Sequence, residues 1–299
     1  MKKIISLSLV LLLVFTSLTL FSSCGKEKEY PVTVGDVTIN EEPLNTVVLS
    51  KNITDIISCI GYDVKMVGRS DEVNQEGLEI VPSVGSCDAL DVNKIEELEA
   101  DIILCDTNTY EVAKKAVENI DINVVSFESA KTKKELKTLY ENIGKVLGGN
   151  ITGLATANEA FTELTDTLDG IEQEATVENP IKKTFCYLYL DSNGVLKTMN
   201  KGTWGAVLFK YSGAMNVLEN AESEEVDKDT LLISNPDVIF CNSQETIDYL
   251  NQDLTLWELD ALQGNTSIVP VDDLRLQGYT SLTALENMIS IIYPEEIEE

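Results

Sequence analysis

The stretch ADIILCD, Ala100 to Asp106, returns 136 residues later as PDVIFCN, Pro236 to Asn242. Each copy is an acid, three apolar residues, a cysteine and a short polar residue. An apolar run this short, closed by polar residues at both ends, fits a buried strand better than a helix. A chain of 299 residues that writes one buried strand twice, half its length apart, is predicted to contain two halves of similar build. The length is sufficient for two domains of ordinary size.

The sequence around each copy alternates strand and helix patterns. In the first half TVVLS (Thr46–Ser50) predicts a buried strand. NITDIISCIG predicts a helix capped near Asn52 or Thr54 and closed by Gly61. KMVGRS and VPSVGS follow as strands, NKIEELEA as a short helix, DIILC and NVVSF as strands, and TKKELKTLYENIGKVLG as a long helix. In the second half TFCYLYL, DVIFC and SIVPV predict strands. WGAVLFKYSG, DKDTLLISN, ETIDYLNQ and SLTALENMISIIY predict helices. Such alternation argues for parallel α/β sheets. Between the halves, Leu154, Ala157, Phe161, Leu164, Leu168 and Ile171 recur at steps of three and four, as one long amphipathic helix requires. The predicted fold is therefore α/β: two Rossmann-like lobes with mostly parallel central sheets, joined by one long α-helix. The expected boundaries are 31–150 for the first lobe, 151–175 for the connecting helix and 176–299 for the second lobe. Open parallel sheets bind ligands at the carboxyl ends of their strands, so two facing lobes predict a cleft for a bulky solute.

Charge and composition narrow the function. The formal net charge of -29 repels phosphate backbones and argues against nucleic acid as a partner. The chain has no histidine, which removes the commonest transition-metal ligand and the usual general base. No P-loop or GxGxxG sequence occurs, and Cys87 has no basic neighbour in sequence to activate it. An enzyme and a bare-metal receptor are accordingly the weaker readings, and no cofactor is expected. Lys2 and Lys3, the apolar run Ile4–Phe21 and the small residues of SSCG form a secretion signal over residues 1–23. Residues 24–30 follow as a polar tether. The five cysteines beyond Cys24 show no CxxC spacing, and neither a disulfide framework nor a zinc site is predicted.

Several stretches carry a family resemblance in their order and spacing. They are YPVTVGDVTINEEPLNTVVLSKNITDIISCIGYDVKMVGRSDE and VPSVGSCDALDVNKIEELEADIIL in the first half, and LLISNPDVIF and LWELDALQGNTSIVPVD in the second. Together they resemble the periplasmic-binding family for iron chelates and vitamin B12, the solute receptors of ABC importers. The resemblance spans nearly all of the chain beyond the signal. It implies two lobes joined by one long helix, a monomer at the outer face of the cytoplasmic membrane, and delivery of a metal chelate or corrinoid to an ABC permease and its ATPase. FSSC resembles a lipobox, with Cys24 as the lipidated residue and Phe21 where Leu is usual. The family's docking glutamates fall at Asn93, a departure, and at Asp229. Asp91 and Glu96 flank the first position as substitutes, and helix capping is the competing role for both Asp91 and Asp229.

Loops at strand ends supply the ligand-site candidates: Arg69, Ser86, Asp106 and Tyr110 on the first lobe, Thr203, Trp204, Asn242, Arg275 and Tyr279 on the second. Ser50, Asn52, Cys87 and Asp88 lie in the same loops. Trp204, in NKGTWGA, is expected either to stack on a large planar ligand or to staple a helix start into the core. Arg69 and Arg275 are the only arginines, suited to a ligand carboxylate or catecholate or else to surface ion pairs. So few arginines disfavour strongly anionic siderophores. Corrinoid and neutral siderophore remain open, and heme would need Tyr279, Tyr110 or a cysteine as its axial ligand. Trp257 is expected to be structural.

Overall fold

A computed structural model describes residues 28–294. Cys24 and the apolar run before it lie outside the described residues. Within them no helix is long and apolar enough to cross a membrane.

The first lobe opens with a hairpin, β1 (Val32–Val34) and β2 (Val37–Ile39). It continues with β3 (Thr46–Val48), α1 (Lys51–Ile60), β4 (Met66–Arg69), the small hairpin β5 (Gly85–Ser86) and β6 (Ala89–Leu90), and α2 (Val92–Glu97). Then come β7 (Ile102–Asp106), α3 (Tyr110–Ala116), β8 (Asn123–Phe127) and α4 (Lys133–Gly148). The connecting helix is α5 (Leu154–Glu178). The second lobe holds β9 (Thr184–Leu190), β10 (Leu196–Thr198), α6 (Trp204–Phe209), β11 (Met215–Asn216), α7 (Lys228–Ser234), β12 (Val238–Cys241), α8 (Gln244–Gln252), β13 (Thr266–Ile268) and α9 (Tyr279–Ile292).

The first sheet is wholly parallel in the order β4-β3-β7-β8. The second runs β10-β9-β12-β13, with β9, β12 and β13 parallel, β10 antiparallel and β11 beside the start of β9. The two predicted strands of the opening repeat are β7 and β12, each central in its sheet. Their side chains alternate between faces, as strand geometry requires. Ile102 and Leu104, like Val238 and Phe240, enter one core shared by both lobes. Ile103 and Cys105 enter an outer layer of the first lobe, Ile239 and Cys241 the corresponding layer of the second. The shared core also takes Ile53, Ile56 and Ile57 of α1, Leu164 and Leu168 of α5, and Leu285 and Met288 of α9. All five cysteines among the described residues are free thiols, three of them buried in the strands β7, β9 and β12.

Two local readings are corrected. VPSVGS does not form a regular strand; it contributes one bridge, Ser83 to Arg69, and the two-residue β5. The cap of α1 is Ser50, whose hydroxyl accepts the Ile53 N–H at 3.2 Å, and neither Asn52 nor Thr54 fills that role.

The connecting helix starts at Leu154 because a five-residue π-type turn, Gly149–Gly153, precedes it. That turn reverses the chain, so α4 and α5 lie antiparallel in close contact. A side chain at Gly144 would come within 2.4 Å of the Gly153 carbonyl, so only glycine permits the approach. Tyr140 meets Phe161 edge-on at 6.0 Å, and Lys133 pairs with Asp169 at 3.4 Å further along. Glu29 is pinned to the same corner. Its carboxylate accepts the Ile151 N–H at 2.9 Å and the Thr152 hydroxyl at 2.6 Å. The Lys65 ammonium, just before β4, donates to the Leu147 carbonyl, so this corner lies at the N-terminal ends of the first sheet's strands.

The lobes are bolted together by buried polar groups. Gln277 is 0% exposed. Its amide donates to the Ala130 carbonyl at 2.6 Å and accepts from the Ala130 N–H at 2.9 Å and the Asn52 amide at 3.0 Å. The Tyr140 hydroxyl donates to the Gln277 carbonyl at 2.8 Å. Asp55 of α1 accepts from Gly278 N–H at 2.6 Å and the Thr280 hydroxyl at 2.8 Å, capping α9 of the other lobe. Burial pushes the Asp55 carboxyl up, while the Thr280 and Gly278 hydrogen bonds act against that.

Candidate functional site

A cleft of about 600 Å³ opens where the C-terminal ends of β3, β7 and β8 meet the loop between β13 and α9. The first lobe supplies most of it. Leu49 to Asn52 come from the end of β3 and the start of α1; Asp106 closes β7; Ser129 follows β8. Glu72, Cys87 and Asp88 come from the loops after β4 and β5. The second lobe contributes Asp272, Arg275 and Leu276.

The polar groups are held by defined partners. Ser50 donates its hydroxyl to Asp106 at 2.8 Å while accepting the Ile53 N–H, which links the helix cap to the strand-end acid. Burial pushes the Asp106 carboxyl up, with the Ser50 hydrogen bond opposing. Burial also works against the charge of Glu72, but hydrogen bonds from Cys87 and Ser70 outweigh it and hold this carboxyl below its usual range. The Glu72 carboxylate accepts the Cys87 N–H at 3.1 Å. The Cys87 thiol lies 3.3 Å from the Leu49 carbonyl, and burial pushes it up to about 11, far from thiolate character at neutral pH. Lys51 reaches across the cleft to Asp272 at 3.2 Å. Arg275 is exposed and lies over the Tyr189 ring at 5.4 Å. Among the described residues no group of three His, Cys, Asp or Glu is arranged to hold a metal ion.

Of the nine ligand-site candidates, the cleft lining brings together Asp106 and Arg275. The others have different surroundings. Arg69 directs its guanidinium at three backbone carbonyls, those of Leu78, Ser70 and Val73, and braces the loop after β4. Ser86 sits in the β5–β6 hairpin beside Cys87 without lining the cleft. Tyr110 starts α3, packs on the first lobe's outer layer and carries the Lys114 ammonium over its ring at 5.3 Å. Thr203 caps α6 by accepting the Ala206 N–H at 3.3 Å. Trp204 is 5% exposed in the shared core, so of its two expected roles the core one is realised. Asn242 accepts the Thr246 hydroxyl at 2.6 Å within its own lobe. Tyr279 is 40% exposed and faces Cys59 and Glu163, on the connecting-helix side of the molecule. Trp257, expected in the core, is 59% exposed, with its indole N–H on the Asn251 carbonyl at 2.9 Å.

The lining residues that the sequence reading passed over include Glu72, Ser129 and Asp272. Ser129 and Asp272 follow β8 and β13 as Ser50 and Asp106 follow β3 and β7 or close them, so the strand-end rule, applied to every strand, reaches both. Glu72 has no such signal; it lies in an irregular loop.

The docking candidates sit on two short helices. Asp91 caps α2, accepting the Lys94 N–H at 3.2 Å. Asp227 caps α7 through the Asp229 N–H at 3.2 Å, which leaves the exposed Asp229 side chain outside the capping role. Asn93 and Glu96 are exposed on α2.

The sequence model of the family described as "Periplasmic binding protein" matches residues 46–265. An uncharacterized ABC transporter substrate-binding lipoprotein, YvrC of Bacillus subtilis, is 20% identical over 285 residues, covering 92% of this chain and 89% of its own. A possible iron-binding (periplasmic solute-binding) protein from Staphylococcus epidermidis superposes with a TM-score of 0.71 at 17% identity, over 85% of this chain and 100% of the other. The periplasmic heme binding protein HutB of Vibrio cholerae superposes at 0.70 and 16% identity, over 84% and 99%.

Proposed function

The chain belongs to the periplasmic binding protein family, and from that membership we propose that it is the solute-binding lipoprotein of an ABC importer. In this reading it captures an iron chelate or corrinoid between its lobes and delivers it to the permease and ATPase. The observation that carries the proposal is the cleft: strand ends of one lobe and a loop of the other line a single opening of about 600 Å³. The buried Gln277 and Asp55 junctions support capture with little relative motion of the lobes. Residues 31–150 and 176–299 are the lobes of this receptor, a monomer, with residues 151–175 as its connecting segment. Cys24 carries the lipid anchor after removal of residues 1–23. Asp229 and Glu96 present exposed carboxylates to the permease, with Asp91 contributing from its capping position.

The ligand contacts come from the cleft lining, Asp106 and Arg275 first. No aromatic side chain lies in that lining, so recognition rests on polar contacts and shape. Of the axial ligands expected for the heme alternative, Tyr110 and Tyr279 are not among the lining residues and Cys87 is.

The test is a titration of the full-length chain in detergent with cyanocobalamin, ferric trihydroxamates and heme, followed by calorimetry and native mass spectrometry. Saturable one-to-one binding of a chelate or corrinoid is expected. Failure of every probe to bind would overturn the receptor reading.

A further inference from the structure

The cleft has a pronounced imbalance between hydrogen-bond acceptors and donors. Its charged lining residues are the acids Glu72, Asp88, Asp106 and Asp272 against Lys51 and Arg275. Lys51 is already matched by Asp272 at 3.2 Å. That leaves three carboxylates on the first lobe's wall and Arg275 on the opposite side. The N-terminus of α1 also points here, but it is answered from within the protein: Ser50 accepts the Ile53 N–H and donates its own hydroxyl in a hydrogen bond to Asp106.

An independent observation points the same way. Asn52 is 8% exposed, lines the cleft, and has a side-chain oxygen with no partner. Its orientation is fixed by its neighbours. Gln277 must present its amide oxygen to the Ala130 N–H and its amide nitrogen to the Ala130 carbonyl. The Asn52 amide nitrogen must then face the Gln277 oxygen, at 3.0 Å. Turning Asn52 over would set two oxygens against each other, so its carbonyl oxygen is left as a buried acceptor. An unmatched buried acceptor is costly, and a ligand donor would remove the cost.

Resting on the receptor reading above, we infer that the ligand turns a face rich in N–H donors or positive charge toward Asn52, Asp106 and Glu72, with at most one acidic group toward Arg275. Two kinds of solute carry that chemistry: a ferric chelate with a pendant ammonium, and a corrinoid with its fringe of primary amides. A polyanionic catecholate complex carries the opposite one.

The experiment titrates the full-length chain with four probes: a ferric trihydroxamate bearing one ammonium, its N-acetylated twin, cyanocobalamin and a ferric tris-catecholate. A charge-assisted hydrogen bond gained or lost predicts about tenfold in affinity. If the ammonium is recognised, that probe binds about tenfold more tightly than its twin, and Asp106→Asn removes the preference. If the amide fringe is recognised, cyanocobalamin binds, and Asp106→Asn and Asn52→Leu each weaken it several-fold. Asp166→Asn, on the exposed face of α5, leaves either pattern intact. Tightest binding of the tris-catecholate would overturn the inference while keeping the receptor reading. So would binding of the trihydroxamates with no preference between the twins and none for cyanocobalamin. Binding of no probe overturns both.

Discussion

Residues 91–106 and 227–242 are the same sixteen-residue device built twice. Asp91 and Asp227 cap the short helices α2 and α7. Glu99 and Asn235 then turn the chain with left-handed backbones, φ 51° and 37°. Asp101 and Asp237 clasp the start of a neighbouring strand: Asp101 accepts the N–H groups of Leu44 and Asn45 at 2.7 and 2.8 Å, Asp237 the N–H and hydroxyl of Thr184 at 2.7 and 2.9 Å. Cys105 and Cys241 fill the outer layers. The copies part company at their last residue. Asp106 stands in the cleft beside Ser50, while Asn242 is absorbed by Thr246 of its own lobe. The architecture of the first fifteen positions is kept and the one that meets the cleft differs, which separates what the fold needs from what the site needs.

The comparison treats the lobes as two units, and the strongest way to break it is to test whether they fold as one. Gln277→Leu removes three side-chain hydrogen bonds across the junction, leaves the Ala130 groups without partners and leaves the Asn52 amide only the Ser129 hydroxyl at 3.4 Å. A loss of about 3 kcal/mol is expected, with one thermal transition separating into two in calorimetry. A single, barely shifted transition would show that the shared apolar core alone couples the lobes.

Exchanging the divergent residues sharpens the contrast. Asp106→Asn is expected to change affinity for the bound solute about tenfold, while Asn242→Asp changes it less than twofold. Equal effects would mean that both strand ends reach the ligand.

The caps should be interchangeable in kind. Asp91→Ala and Asp227→Ala are each expected to cost about 1 kcal/mol in urea unfolding, with ligand affinity unchanged. A much larger loss at one of them would show that the two helices are not equivalent.

The smallest effect concerns acid. The Thr184 N–H holds the Asp237 carboxyl below its usual 3.8. A depressed carboxyl contributes stability above its unfolded value and loses it as pH falls through 3.8 and below. Asp237→Asn should therefore flatten the pH dependence of stability in that range while leaving the slope above pH 5 unchanged. An unaltered slope below pH 4 would remove the clasp's electrostatic part.

The repeat was legible because it rests on strand periodicity and on acids at fixed places, both local properties of sequence. The long helix was legible from Leu164, Leu168 and their neighbours; its start was not, because the Gly149–Gly153 turn depends on Gly144 meeting Gly153 across two helices. The cleft was half legible. Asp106 and Arg275 follow from loop position. Arg69 looks the same in sequence, and only the fold of residues 70–78 shows its donors answered by carbonyls. Trp204 takes the core one of its two expected settings and Trp257 departs from its own, because exposure is decided by what packs against a loop from elsewhere. Glycine-rich surroundings do not keep Trp204 at the surface, and apolar neighbours do not bury Trp257.

Glu29 gives the body a mechanical polarity. Its carboxylate ties the residues just before the first strand to the corner between α4 and α5, on the side away from the cleft. A pull applied through the N-terminal flank is thus delivered to the head of a 25-residue rod that runs between the lobes, not to a loose tail. Force enters at the corner before the long helix, at the end of the first sheet opposite the strand ends that line the cleft. A chain tethered by that flank therefore holds its cleft outward from the point of attachment.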